Sequence, residues 1–161
     1  MKTQHPWWLF FLLGGLFFFA GLSQLQAANI SASGGWTLSL SSSNLTGGAG
    51  SDLTATYTST ANATILNVAS PGNGTWRVYI NRNDSSWPAD FLLYAQRTST
   101  GTGSGTISGG TSYQQITTGQ VSFFTGSKNR TGINIRYQLR GASIQVSPGT
   151  YNTTVVYTIT P

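Results

Sequence analysis

The chain has 161 residues, a formal net charge of +5 from eight Lys or Arg against three acids, and no cysteine. Only 7% of its residues are charged while 20 are glycine, a balance that excludes both a basic nucleic-acid stripe and a disulfide scaffold. The single histidine is His5 and the three acids are Asp52, Asp84 and Asp90, so beyond residue 5 there is no His, Cys or Glu.

The chain opens with the pattern of an export signal. Lys2 and His5 give a short positive start, an apolar run follows from Trp7 to Leu22, and Ser23-Gln24-Leu25-Gln26-Ala27-Ala28 ends it in small residues. Cleavage is expected after Ala27 or Ala28. The apolar run, interrupted by Gly14-Gly15, is shorter than the about 20 residues a spanning helix needs; a retained N-terminal anchor is the competing reading. With residues 1–27 as signal peptide, 161 less 27 leaves 134 residues, 28–161, enough for one domain with its own core. No later segment has membrane length, so the mature chain is expected to have no membrane span. An exported protein, in the periplasm, at the cell surface or outside the cell, is the localisation this predicts. Its seven basic residues against three acids leave a net charge of +4. Only Lys128-Asn129-Arg130 clusters, so no nucleic-acid partner is expected.

Along the mature chain, period-2 alternation recurs with turn residues between the runs, and no stretch has a helical period. Trp36, Leu38 and Leu40 predict a strand, as do Leu53, Ala55 and Tyr57, then Ile65 to Val68. Trp76, Val78 and Ile80 alternate with Arg77, Tyr79 and Asn81. Phe91, Leu93 and Ala95 oppose Leu92, Tyr94 and Gln96, which predicts a strand covered on both sides. Ile133, Ile135, Tyr137 and Leu139 oppose Asn134, Arg136, Gln138 and Arg140 in the cleanest amphipathic pattern of the chain. Ile144 with Val146 predicts a short strand, and Tyr151, Val155, Tyr157 and Ile159 a last one. Turn chemistry separates them at Gly47–Gly50, Pro71–Gly74, Gly126–Asn129 and Pro148-Gly149, and the glycine-rich stretch 100–110 reads as a flexible hairpin loop. Short Thr-rich strands at this spacing predict an all-β fold, an antiparallel two-sheet β-sandwich, with a closed barrel as the runner-up.

This residue set is poor in chemistry. Without His, Cys or Glu, the usual general base, thiol nucleophile and zinc ligands are missing, so no catalytic residue, cofactor site or metal site is expected. Lys128 is the one lysine left to activate a serine, and it sits in a polar turn. Asp84 and Asp90 flank Trp87-Pro88 as the only carboxylate pair worth naming, and both read better as loop residues. Asn81–Ser86 resembles an Asx-rich turn more than a calcium loop. A non-enzyme is expected.

Two roles remain open. Exposed aromatics would suit a secreted carbohydrate-binding or adhesive module; Trp87 in a polar loop, with Tyr79 and Arg77 on the polar phase of their strand, is the candidate glycan contact, while Trp36 and Trp76 are in phase with core positions. The alternative starts from the C-terminal segment. Pro148-Gly149-Thr150-Tyr151 followed by Asn152-Thr153-Thr154-Val155-Val156-Tyr157-Thr158-Ile159 resembles the closing strand of secreted fimbrial subunits of the spore-coat-U and archaic chaperone–usher class. That resemblance implies an Ig-like sandwich completed by a neighbour's N-terminal extension. Ala28–Gly35, just after the cleavage site, is the candidate strand-exchange segment, with Ile30 and Ala32 on one face and Gly34-Gly35 as hinge. An exported cell-surface or filament building block, self-associating or joined to another surface subunit, is the leading expectation.

Overall fold

The computed structural model describes residues 27–70, 74–84 and 87–161. The predicted signal peptide, apart from Ala27, lies outside the described residues, as do Pro71–Asn73 and Ser85-Ser86 of two predicted turns. Among the described residues there are ten strands: β1 (Asn29–Gly34), β2 (Thr56–Thr58), β3 (Thr64–Ala69), β4 (Thr75–Asn83), β5 (Leu92–Arg97), β6 (Ile107–Gly109), β7 (Gln114-Gln115), β8 (Val121–Ser127), β9 (Arg130–Arg140) and β10 (Thr154–Thr160). A single 3₁₀ turn at Ser42–Asn44 is the only helical element among them, and none is long and apolar enough to cross a membrane.

The strands form two antiparallel sheets packed face to face, the sandwich that the alternation predicted. One sheet runs β1-β3-β9-β5-β7, with β2 continuing beside β9 beyond the end of β3; the other runs β10-β4-β8-β6. Inward side chains of β3 (Leu66, Val68), β9 (Ile133, Ile135) and β5 (Leu93, Ala95) meet those of β4 (Trp76, Val78, Ile80) and β8 (Phe123, Phe124), with Ile116 plugging the interior. Trp76 and Phe124 are among the largest fully buried side chains and meet edge-on at 6.1 Å between ring centroids.

β8 escapes the alternation rule. Val78 pairs with Phe124, yet the next residue, Tyr79, pairs with Ser122, so Phe123 is an extra residue, a β-bulge. The bulge turns two consecutive phenylalanines inward, 6% and 1% exposed.

Several expectations are corrected. Trp36–Leu40 forms no strand: its side chains alternate between half-buried and exposed, but the backbone has no ladder partner. Ile144 and Val146 lie in a turn with Ile144 52% exposed, because the Ile144 and Leu53 backbone N–H groups both donate to the Asp52 carboxylate. β5 is not covered on both sides, since Leu92 on its outer face is exposed. The glycine-rich stretch is not a free loop either. A Cβ at Gly101, Gly103 or Gly105 would run into the backbone carbonyls of Thr131, Asn129 and Ser127 in turn. Every second residue must be glycine for this segment to lie flat against the β8–β9 hairpin, and Thr102 and Thr131 exchange backbone bonds of 2.7 and 2.9 Å there.

Candidate functional site

The two long sides of the sandwich are built differently. On the β5 side, Gly110 to Tyr113 carries the chain from β6 in one sheet to β7 in the other. Arg97, only 6% exposed, seals that side: its Nε donates to the Gly109 carbonyl and its Nη1 to the Ser99 carbonyl, each at 2.9 Å. The guanidinium stands 5.9 Å from the Phe124 ring, and burial, with Arg130 nearby, holds its pKa below the usual arginine value. Gln96 Nε2 adds a bond to the Thr111 carbonyl at 2.7 Å. The outer strands here are short, three residues in β6 and two in β7.

On the opposite side the outer strands of the two sheets approach each other and a groove opens beside them. There β1 and β10 form the outer strands of the two sheets, six and seven residues long, with no charged residue and no proline in either. A groove of about 1010 Å³ runs beside them between the sheets. Its floor is Leu93, Tyr137 and Leu139 of one sheet with Val155 and Tyr157 of the other, and its walls are the extended segments 35–42 and 147–153. Leu38 and Leu40, which read as strand residues, are half-buried wall residues of this groove.

A chain of hydroxyls crosses the groove floor. Thr64 Oγ1 and Tyr137 Oη lie 2.8 Å apart, as do Tyr137 Oη and Tyr157 Oη, linking β3 and β9 to β10 across the core. Burial raises the Tyr137 pKa against the opposing pull of its two hydrogen bonds. Burial lifts Tyr157 well above the ordinary tyrosine range, and its neighbour Tyr137 adds to the rise. Both tyrosines read as plain core positions in the sequence; a buried phenol needs a partner, and that need was the available signal.

The candidate exchange segment lies on this side of the sandwich. β1 pairs along its whole length with β3 of the same chain, from Asn29 opposite Ala69 to Gly34 opposite Thr64. Ile30 and Ala32 do share the inward face: Ile30 is half-buried against the core, whereas Ala32 stands exposed at the groove mouth. Five of the six β1 residues are exposed, so little apolar area holds the strand down. Gly34 ends it with φ +93°, where a Cβ would also strike the Ala63 carbonyl.

The candidate glycan residues are not brought together. Arg77 and Tyr79 stand two apart on the outer face of β4, between Thr160 and Thr158 of β10 and Thr125 and Ser122 of β8. Trp87 is instead half-buried and lines the groove. Its Nε1 donates to the Phe91 carbonyl at 2.6 Å, its ring meets Phe91 edge-on at 5.7 Å, and Arg82 covers it at 5.5 Å. Phe91 in turn meets Tyr151 at 5.4 Å. Asp84 is held by Arg82 at 2.6 Å and by Thr153 Oγ1 at 3.2 Å, so this cluster fastens the lead-in to β10 onto the end of β4. Trp36 packs at the edge of the core and is only half-buried. Among the described residues no group of three or more His, Cys, Asp or Glu side chains is placed to hold a metal ion.

Comparison with protein-family models, curated proteins and solved structures finds no match for this chain.

Proposed function

We propose that the mature chain, from residue 28, is an exported structural subunit that assembles at the cell surface or in an extracellular filament by exchanging its first strand with a neighbour. The observation that carries this reading is the asymmetry of the sandwich. One side is sealed by Arg97 and a crossover with short outer strands, while the other presents two long, uncharged outer strands beside an apolar groove. Sandwiches usually blunt such edges with charge, proline or brevity, because free N–H and C=O groups recruit further strands. Here β6 and β7 are blunted by brevity and β1 and β10 are not.

Exchange of β1 replaces each contact with an identical one from a neighbour, so it costs little beyond association itself. Its few buried atoms make release easy, and Gly34-Gly35 supplies the pivot. Passed head to tail, such an exchange does not close and grows a filament. The resemblance of the C-terminal segment to fimbrial subunits points the same way, toward an Ig-like, strand-accepting sandwich.

The cysteine-free chain offers a direct test. Ser31 and Asn67 are opposite one another in the β1–β3 register. Directly opposed residues in an antiparallel pair have Cα atoms about 4.5–5.5 Å apart, within disulfide reach. The double variant Ser31→Cys with Asn67→Cys, oxidised as a dilute monomer, should stay monomeric on concentration and assemble once reduced. Assembly of the oxidised form would remove strand exchange from the account.

A further inference from the structure

Strand exchange uses one side of the sandwich and leaves its broad faces free. The outer face of the six-stranded sheet has an unusual charge pattern. Along β9, Asn134, Arg136, Gln138 and Arg140 point outward, beside Tyr94 and Gln96 of β5, which are opposite Gln138 and Arg136. Strand geometry puts Arg136 and Arg140 about 13 Å apart on one line. No acid forms an ion pair with these arginines among the described residues. Asp52 is engaged with Leu53 and Ile144, Asp84 with Arg82, and Asp90 lies in the turn before β5 with its carbonyl against Gly141.

The two guanidiniums are positioned yet unneutralised. Arg140 lies over the Tyr94 ring at 4.2 Å, and its Nε donates to Gln138 Oε1 at 2.7 Å. Gln138 is anchored in turn, its Nε2 donating to Thr58 Oγ1 at 3.2 Å. Arg136 has no carboxylate or carbonyl partner among the described residues, and its buried Nε has no acceptor among them. The Nε is closed to any ligand, but the Nη groups of Arg136 are open and take no acceptor among the described residues, so a carboxylate from outside can engage them.

We propose that this face binds an acidic polysaccharide. Guanidinium forks match carboxylate oxygens two at a time, and the amides of Asn134, Gln96 and Gln138 match sugar hydroxyls. Two charges spaced along a flat strand fit a polymer that repeats its acid at intervals. They are too few for the multiple phosphate contacts that drive nucleic-acid affinity.

The test is affinity electrophoresis of the mature chain through gels containing sodium polygalacturonate, neutral dextran or duplex DNA. Polygalacturonate should retard it, and added salt should weaken the retardation. Arg136→Gln and Arg140→Gln should each weaken binding about tenfold. Lys128→Gln, in the β8–β9 turn, should leave it unchanged. Arg140 is exposed, so its variant keeps the test valid if Arg136→Gln folds poorly, as circular dichroism would show. Absence of retardation by polygalacturonate, equal retardation by dextran, tighter binding to DNA, or an equal loss in Lys128→Gln would each overturn the proposal.

Discussion

Consecutive residues of β9 do opposite work. Ile135 is fully buried between the sheets, whereas the side chain of its neighbour Asn134 looks outward and makes no hydrogen bond among the described residues. Ile135→Ala should therefore cost about 2–4 kcal/mol in urea unfolding by leaving a cavity, while Asn134→Ala should shift the midpoint little. Two residues further along, the hydroxyl chain sets a second contrast. Tyr157→Phe leaves Tyr137 bonded to Thr64 and should cost about 1 kcal/mol, but Tyr137→Phe strands both the Thr64 and the Tyr157 hydroxyls and should cost about 1–3 kcal/mol more. The same pair gives an alkaline signature. Both phenols are raised in the folded state, so the unfolded chain ionises first. Stability is then fully present below about pH 10 and falls as pH rises through the unfolded tyrosine range toward the folded values. Unfolding free energy followed from pH 8 to 11 should decline, and the decline should be shallower in Tyr157→Phe.

At the scale of elements, the alternating strands β4 and β9 appear where Trp76 and Ile133 place them, β3 appears where the apolar run from Ile65 to Val68 places it, and β10 begins at Thr154, leaving Tyr151 in the segment before it. β8 was not legible, because its bulge puts Phe123 and Phe124 on the same side and erases the period. Residues 36–40 kept the period without the strand, since alternation reports which side chains face an apolar surface and says nothing about whether the backbone finds a ladder partner. The groove was hidden for a related reason. Which strands become outer strands follows from sheet order, and sheet order pairs β1 with β3 and β10 with β4 across long stretches of sequence. What the sequence did contain was the end of β1, written in Gly34-Gly35. The glycine-rich stretch makes a sharper point, because its glycines looked like looseness and are a condition of close contact. Gly105→Ala should destabilise the domain by about 1–3 kcal/mol in thermal melts, as its methyl meets the Ser127 carbonyl. Gly119→Ala, whose Cβ would find only ordinary contact with Thr117, should change stability by no more than about 0.5 kcal/mol.

For the whole molecule, a chain with three acids and no cysteine holds itself together with a packed two-sheet core, a buried arginine bonded to carbonyls, and a hydroxyl chain between the sheets. The arginine closes one side while the other keeps long outer strands, and the proposed assembly rests on that difference. It is tested most directly by sedimentation velocity of residues 28–161, the mature chain as proposed, beside a chain starting at Trp36. The account predicts concentration-dependent oligomers for the first, and for the second a monomer that keeps its β-sheet circular dichroism. A mature chain that stays monomeric at high concentration, or a truncated chain that assembles as readily as the longer one, would contradict it.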